Sequence, residues 1–528
     1  MRLAGTAMAA VLLAAVAAAS TPSSAWAQAT DSPQATDPPR ARLVIVEGAT
    51  FEDLIQMPAA RDLACSGGGW ALLTSPHDVG SDPAGVRVES GVSPGLLGSG
   101  FVVLVATGAG GMDQLGGVAA GIPGEGSSDC ATLTSDGTRR EGVIAAADVL
   151  ATVEAGRFGP DMRPVGSATL PGELHERYLQ QRKMYVPVGA AAGVATLLIL
   201  LFALFAYFRR EHLGARMRVA AEWACFSVPA MGVGLLACGH LAKPDYVQAA
   251  VVTGACALLL PGIALTFRRR GVLATPLVFG ALIVSFFAIE AVLGWPATLF
   301  TLLGGTALDG ARFYGLPNAF IGLLLGSALF IAPSLRSFGA PVIVAVGLLA
   351  GLPQLGANMG AAVTIMFAAA MWIALTTPSW RGVAAGAVIG GMGLAVVIAA
   401  HGLSGDAPTH VTRLTTSADL DPASLVSRAV DRLEIGVDLL ARSPVGLLYL
   451  IATPVVLWLV LKPRGGWRLA FEAYPVWRRA MMTILASSIV AYLANDTGVS
   501  AVGMGFAMAL GGIIYVPMAR ETGRIVGT

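Results

Sequence analysis

The sequence predicts an α/β domain followed by an all-α membrane bundle of about eleven transmembrane helices. Hydrophobic residues make up 55% of the 528 residues and charged residues only 13%, whereas a soluble domain carries about 25% charged residues. Long apolar runs recur from Tyr185 onward, while residues 41–180 alternate short apolar runs with glycine-rich turns. This composition excludes a purely soluble or disordered chain. The net charge of +1 also lacks the basic excess of a nucleic-acid-binding protein.

The first 40 residues have the pattern of an export signal followed by a leader. Arg2 provides the positive start, residues 7–19 are apolar, and small-x-small cleavage sites end at Ala27 and Ala29. We therefore expect a cleaved signal peptide over residues 1–29, with an uncleaved anchor helix as the alternative. Residues 30–40 are rich in Pro, Asp, Thr and Ser, which is typical of a disordered leader.

Residues 41–180 are expected to form the extracytoplasmic α/β domain. Residues 42–46 and 101–106 are short apolar runs with β-branched residues, typical of buried strands. Residues 51–64 and 143–153 have helical spacing of their apolar positions. Alternating strands and helices favour a largely parallel sheet.

The cysteines are consistent with export. Cys65 and Cys130 lie in the α/β domain, and an exported pair can persist as a disulfide because that compartment is oxidising. The sequence leaves open whether these two cysteines are close enough to bond. Cys225, Cys238 and Cys256 fall in apolar runs and are expected to be packing residues.

The transmembrane domain is predicted over residues 185–520. A helix needs about 20 apolar residues to cross a bilayer. Eleven spans fit the sequence, near 185–208, 219–241, 246–267, 272–294, 313–335, 339–356, 358–378, 382–401, 444–463, 478–495 and 498–519.

The distribution of Lys and Arg predicts how these spans are oriented. With the α/β domain outside, the inward loops hold most of the arginines, for example residues 209–218 and 268–270. The short outward loops hold only Lys243 and Arg312. An odd number of spans then places the α/β domain outside the cell (inner) membrane and the C-terminus in the cytoplasm.

The long outward loop at residues 402–443 is predicted to contain an amphipathic helix. Asp421 can cap a helix that begins at Pro422. The apolar residues on one face are Val426, Val430, Leu433, Val437 and Leu440. Such a helix lies on the outer membrane surface or caps the bundle, and the pattern favours neither.

Several polar residues fall near the outward ends of the spans. A carboxylate late in the fourth span is costly unless it is paired or faces water. Arginines bind phosphate or carboxylate, and a His or carboxylate can act as a base. The sequence therefore predicts an outward site for an anionic group, formed by Glu290, Arg312, Tyr314, Asn318, His410, Arg413, Asn495 and Asp496. The alternative is that these are interfacial polar residues and helix caps.

Motifs of well-known enzyme classes are not found in the sequence. It contains no GxxxxGK[ST] loop, no HExxH, no GxSxG and no CxxC pair. No cofactor or metal is therefore predicted. Glu222, near the start of the second span, has a simpler explanation, since Arg218 lies four residues earlier and could pair with it.

The α/β domain resembles the alkaline phosphatase/sulfatase superfamily. The resembling segments are residues 43–48 (LVIVEG) with the helix that follows, and residues 135–143 (SDGTRREGV) with 148–153 (DVLATV). The resemblance implies a metal-binding Asp after the first strand, where this chain has Glu47. It implies a second Asp-His after a later strand, where residues 105–111 read VATGAGG. Two-metal chemistry needs such ligands, so we expect a degenerate, non-catalytic domain.

The membrane domain resembles uncharacterised bacterial membrane proteins that carry the same degenerate phosphatase-like domain. The resembling motifs are residues 310–318 (GARFYGLPN), 356–362 (GANMGAA), 409–413 (THVTR) and 495–498 (NDTG). The resemblance implies an architecture and no established activity. This chain has Ala319 and Thr412 where the family has Glu and Gly, which argues against a catalytic role for the site.

These observations favour an envelope protein that handles or recognises a lipid-linked or anionic substrate at the outer face. The expected partners are the lipid bilayer, a lipid-linked glycan or other anionic lipid, and envelope proteins. A transporter or flippase is one alternative, but it needs ionisable residues at mid-span, and the sequence has almost none. A polyprenyl-phosphate-dependent glycosyltransferase or ligase would require Arg312, His410 or Arg413. A scaffold would bind partner proteins through the α/β domain alone.

Overall fold

A computed structural model describes residues 42–47, 49–65, 69–74, 86–88, 101–107, 116–122, 130–135, 138–155, 157–159, 162–165, 170–304, 314–403, 444–495 and 499–526. The expected signal peptide and leader lie outside these residues. The expected amphipathic helix of the 402–443 loop also lies outside them. We call the described segments between residues 42 and 165 the head, and the helices from residue 170 onward the bundle.

The head is built on one eight-stranded mixed sheet. Its strands are β1 (Arg42–Val46), β2 (Gly69–Thr74), β3 (Val86–Val88), β4 (Val102–Ala106), β5 (Gly116–Gly121), β6 (Thr132–Thr134), β7 (Val143–Ala145) and β8 (Arg163–Val165). The order is β3-β1-β4-β5-β2-β6-β8, and β7 also pairs with β2. The sheet is largely parallel, as expected, because six of its eight strands run in the same direction. The exception at its centre is β5, which runs antiparallel to both β4 and β2. The β6–β8 pair is antiparallel as well.

Alternate residues of the central strands build two separate cores. Leu43 and Ile45 of β1 pack on the side of Val149, whereas Val44 and Val46 pack on the side of Leu54. This division follows from the period of two of a strand, which sends successive side chains to opposite faces. Helices α1 (Phe51–Gln56) and α2 (Pro58–Cys65) cover one face and α3 (Ala146–Ala155) the other.

Two expected helices of the head differ in the structure. The helix expected over residues 51–64 is two helices, with Met57 extended at a ψ of 123° between them. The residue before a proline is disfavoured in the helical region, so Pro58 explains the break. The helix expected over residues 143–153 begins only at Ala146. Its first residues form β7, because Val143 and Ile144 pair with Leu72 and Leu73 of β2.

A disulfide joins Cys65 at the end of α2 to Cys130 just before β6. These are the two head cysteines whose pairing the sequence left open. The bond links the helical layer to the sheet across a sequence separation of 65 residues. The other three cysteines are free and at least partly buried in the bundle.

The bundle consists of twelve helices within the described residues. They are α4 (Leu170–Phe208), α5 (Ala215–Ala237), α6 (Tyr246–Leu265), α7 (Ala274–Val292), α8 (Ile321–Leu335), α9 (Gly339–Gly351), α10 (Met359–Thr376), α11 (Trp380–Leu403), α12 (Pro444–Leu461), α13 (Gly465–Ala473), α14 (Pro475–Ala494) and α15 (Val499–Val526). Eight of them are long and apolar enough to cross a membrane: α4, α5, α6, α7, α8, α10, α11 and α15. The chain is therefore an integral membrane protein with several apolar helices.

Three further helices, α9, α12 and α14, lie where the remaining spans were predicted, but they are not among these eight helices, and α9 has only 13 residues. The number of eleven spans therefore stays a prediction. The centre of the bundle is formed by α5, α8 and α15, in which 83% of the most apolar stretch is buried by other parts of the protein. α4 is peripheral, with only 6% of its apolar stretch buried.

A single helix connects the head to the bundle. α4 runs for 39 residues without a break across residues 180–185, where the head was expected to end. Its first turns carry Leu174 and Tyr178, which pack against Phe51 of the head and Phe300 of the bundle. Gln181 donates a hydrogen bond to the Thr301 carbonyl at 2.7 Å. The head is thus held against one end of the bundle, which we call the head-facing end; the opposite end is the far end.

Candidate functional site at the head-facing end

Four of the eight predicted site residues lie in the described part of the chain. Glu290, Tyr314, Asn318 and Asn495 are all at the head-facing end of the bundle, close to the head or to the loops that contact it. The other four, Arg312, His410, Arg413 and Asp496, lie outside the described residues. His401, near the end of α11, is buried, with its Nε2 3.1 Å from the carbonyl oxygen of Gly351.

Glu290 sits near the end of α7 and is only 1% exposed. Its Oε1 pairs with Nε2 of His240, and its Oε2 accepts a hydrogen bond from the Ala297 backbone N–H at 3.2 Å. The His240 side chain is 41% exposed, so the pair reaches from the protein interior to its surface. These contacts satisfy the requirement that a buried carboxylate be paired.

The loop after α7 holds the head through Arg140. Arg140 Nη2 donates to the Trp295 carbonyl at 2.7 Å and to Thr298 Oγ1 at 3.4 Å. Burial lowers the pKa of Arg140, and the negative charge of Glu290 partly offsets this effect. Trp295 has a left-handed φ of 60° and is 2% exposed. Its indole N–H donates to the Leu355 carbonyl, so the loop is fixed from both sides.

Tyr314 contacts Arg139, the neighbour of Arg140 in the same segment of the head. The Arg139 guanidinium carbon lies 4.2 Å from the centre of the Tyr314 ring, which is a favourable cation–π distance. Arg139 Nη1 also donates to the Pro353 carbonyl at 3.0 Å. Arg139 and Arg140 therefore attach one turn of the head to three separate loops of the bundle.

Asn318 and Asn495 lie around the first turn of α10. Asn358 is fully buried and caps this helix, because its Oδ1 accepts from the Ala361 N–H at 2.9 Å. Its Nδ2 donates to Asn318 Oδ1 at 2.9 Å and to the Leu316 carbonyl at 2.8 Å. We call Asn318, Asn358 and Asn495 the asparagine group.

Asn495 completes this group from the end of α14. It is 5% exposed, and its Nδ2 donates to the Ala491 carbonyl at 2.8 Å. Its Oδ1 lies against Gly360, so that any larger residue at position 360 would collide with it. The described parts of three motifs, residues 314–318, residues 356–362 and Asn495, are far apart in the sequence and meet here.

Comparisons with known proteins found no match. No family model matches the chain, and neither a curated protein nor a solved structure matches it.

The described segments offer few side chains that could bind a metal ion together. They contain no group of three or more His, Cys, Asp and Glu residues that could hold a metal ion. In the head, Glu47 follows β1 and is exposed, and Thr107 Oγ1 donates to the Val46 carbonyl at 3.4 Å.

The sequence did not indicate the roles of four residues of this site. Arg139 and Arg140 lie within the segment at residues 135–143, and the residues that they contact are 155–214 positions away. His240 lies near the end of a predicted span, where an interfacial histidine has no distinguishing pattern. Asn358 was quoted within a motif but assigned no role, although an Asn before an apolar helix is a typical cap.

The arrangement favours negative charge near the asparagine group. The N-terminus of the 18-residue α10 carries the positive end of the helix dipole. The Arg139 guanidinium lies over the ring of Tyr314 in the adjoining loop. Helix N-termini and guanidinium groups are among the groups with which proteins bind carboxylates and phosphates, whereas the amide N–H groups of Asn358 and Asn495 donate to other groups of the protein.

Proposed function

We propose that the protein recognises a lipid-linked or otherwise anionic envelope substrate at the head-facing end of its bundle. The observation that carries the proposal is the convergence of Tyr314, Asn318 and Asn495 at the N-terminus of α10, beside Arg139. These residues come from separate loops, and the site lies at an end of apolar helices where a lipid headgroup would be found. Arg312, the nearest arginine in sequence to Tyr314, is a further ligand in this proposal, as are His410, Arg413 and Asp496.

In this proposal the head is a fixed cover and not an enzyme. Its resemblance to phosphatases lacks the expected Asp and His ligands, and Glu47 replaces the first of them. Arg139 and Arg140 bind loops of the bundle, so this part of the phosphatase-like motif has a docking role. The protein would then sit in the inner membrane with the head outside, eleven spans and a cytoplasmic C-terminus. Reporters fused to the C-terminus and to the 402–443 loop test that topology.

The substrate is tested by native mass spectrometry of the gently solubilised full-length protein. We compare the wild type with Arg312→Ala and Arg139→Ala. Arg61→Ala is the matched control, because Arg61 is an exposed arginine on α2 of the head. A co-purifying lipid-linked glycan or anionic lipid should be present in the wild type and the control and lost in the two variants.

Two results would overturn the proposal. One is the absence of bound lipid in every sample, together with retention of a partner protein, which favours a scaffold. The other is equal lipid retention in all four proteins, which shows that the lipid is held elsewhere. A reporter in the 402–443 loop that faces the cytoplasm would refute the topology.

A further inference from the structure

A second buried carboxylate, Glu222, lies at the far end of the bundle, away from the site described above. It is on α5, the helix that begins at the far end, and it is 1% exposed. The sequence suggested Arg218 as its partner, but Arg218 Nε donates to the Leu213 carbonyl at 2.9 Å. Glu222 Oε2 instead lies 3.7 Å from Nη1 of Arg268, whose side chain is 36% exposed.

Two buried hydroxyl groups share this region with Glu222. Thr275, in the first turn of α7, and Tyr515, on α15, are both 0% exposed. The Tyr515 ring lies 4.9 Å from the ring of Phe226, one turn along α5 from Glu222. The Phe226 ring in turn lies 5.0 Å from that of Phe279, one turn along α7 from Thr275. Neither hydroxyl has a hydrogen bond in satisfactory geometry among the described residues. Burying an unsatisfied hydroxyl costs free energy, so a ligand that both oxygens can bind would stabilise this region.

A cluster of aromatic rings packs beside these polar groups. The Phe226 ring lies between those of Phe279 and Tyr515 in the cluster, and the Phe330 ring lies 6.1 Å from it. The polar groups therefore have apolar rings as neighbours, while Arg268, the ion-pair partner of Glu222, is 36% exposed.

We propose that Glu222, Thr275 and Tyr515 form a binding site for a sodium ion at the far end of the bundle. A carboxylate and two hydroxyls supply only oxygen atoms, the ligand type that hard cations prefer. A monovalent cation neutralises the single buried carboxylate. Arg268 neutralises the same carboxylate in the structure and therefore competes with the ion. This sodium site is separate from the proposed anion site, because it lies at the other end of the bundle and binds a cation.

The test is sodium binding to the full-length protein in detergent. The protein is equilibrated in choline chloride and titrated with NaCl or KCl at constant ionic strength, while tryptophan fluorescence reports the melting temperature. Sodium should raise the melting temperature of the wild type more than potassium does. Thr275→Val and Tyr515→Phe remove one oxygen each and should weaken the apparent sodium affinity by about tenfold or more. Retention of radioactive sodium by the same proteins measures occupancy directly.

The matched control is Ser487→Ala. Ser487 is 0% exposed, and its hydroxyl also has no hydrogen-bond partner among the described residues, but it lies on α14 away from Glu222. Its sodium response should equal that of the wild type. Arg268→Gln removes the competing cation, so sodium should bind more tightly and restore the stability that this variant loses.

Several outcomes would overturn the sodium site. They are equal responses to sodium and potassium in the wild type, an unchanged response in both hydroxyl variants, and weaker sodium binding by Arg268→Gln. A response to pH without a response to sodium also overturns it, since Glu222 would then bind only a proton. Glu222→Gln removes the buried negative charge and should abolish the sodium response. If this variant fails to fold, the two hydroxyl variants still decide the question.

Discussion

The two ends of the bundle each bury one glutamate, and they satisfy it in different ways. Glu290 and Glu222 are both 1% exposed. At the head-facing end, Glu290 is in contact with His240 and accepts from the Ala297 backbone, while Arg140 of the head adds positive charge nearby. At the far end, the ion pair of Glu222 with Arg268 is 3.7 Å long, and the hydroxyls of Thr275 and Tyr515 remain unsatisfied among the described residues.

This difference teaches that equal burial does not imply equal rigidity. A carboxylate held by several hydrogen bonds in fixed directions immobilises the segments around it. A carboxylate whose arginine partner is 3.7 Å away and partly exposed can exchange that partner at lower cost. We therefore associate the head-facing end with fixed assembly and the far end with ligand exchange.

The largest expected effect is that of Glu290→Ala. This change removes the partner of His240, leaves the Ala297 N–H unsatisfied and removes a negative charge that acts on the buried Arg140. Removing one partner of a buried charged network costs about 3–5 kcal/mol of unfolding free energy. Equilibrium unfolding in detergent measures this value, and a cost below about 1 kcal/mol, typical of a surface ion pair, would contradict the network.

Next in size is Arg140→Ala, which removes the hydrogen bonds from the head to Trp295 and Thr298. Hydrogen bonds of charged groups contribute about 1.5–3 kcal/mol, so we expect a loss of about 2 kcal/mol. The loss should be accompanied by faster hydrogen exchange in residues 295–299. Arg61→Ala, on the exposed face of α2, serves as the control and should change neither quantity. Unaltered exchange in Arg140→Ala would show that the head is held by its apolar contacts alone.

Glu222→Ala tests the far end and should have a smaller effect than Glu290→Ala. The Arg268 side chain is 36% exposed and can turn into water when its partner is lost. We expect a cost of about 1–2 kcal/mol for a partly solvated pair of this kind. The same unfolding measurement provides the comparison, and equal costs for the two glutamates would remove the contrast between the two ends.

The smallest effect is expected from Asp53→Asn. This variant measures how much an exposed carboxylate contributes to the unfolding free energy, as a reference for the two buried ones. Asp53 and Thr50 form a capping box at the start of α1, and the hydrogen bonds from Thr50 lower the pKa of Asp53. Because Asp53 is exposed, we expect a loss of about 0.5 kcal/mol or less.

The pH dependence of this effect follows from the direction of the pKa change. Since the folded pKa is lowered, the contribution is complete above the unfolded value of about 3.9. It is lost as the pH falls through the folded pKa. Hydrogen exchange of α1 in the full chain should therefore distinguish wild type from variant at neutral pH and not in strong acid. A difference that persists in acid would assign the effect to something other than ionisation.

The helices of the bundle were predictable because each carries its own apolar signal. Runs of about 20 apolar residues locate α5, α6 and α7 to within a few residues. The buried strands β1 and β4 were predictable for a similar reason. β5 was not, because its sequence GGVAAG has little strand preference, and it is held by pairing with strands on both sides.

The candidate site was predictable only in part. Polar residues at the ends of apolar runs, such as Glu290 and Asn318, stand out because they are costly there. Arg139 and Arg140 of the head contact the neighbouring loops, and nothing near them in the sequence indicates partners 155–214 residues away. Likewise, Arg268 replaced Arg218 as the partner of Glu222 because helix packing, and not local spacing, brings them together.

Because α4 continues without a break from the head into the bundle, it fixes the rotation of the head relative to the bundle about the axis of this helix. The helix has 39 residues, which corresponds to a rod about 58 Å long. Each residue inserted between Tyr178 and Pro187 would turn the head by about 100° about this rod and displace it by about 1.5 Å. Arg139 and Arg140 would then point away from their loops. The number of residues in this part of α4 is therefore fixed, because inserting even one would misalign the head and the bundle loops that it contacts.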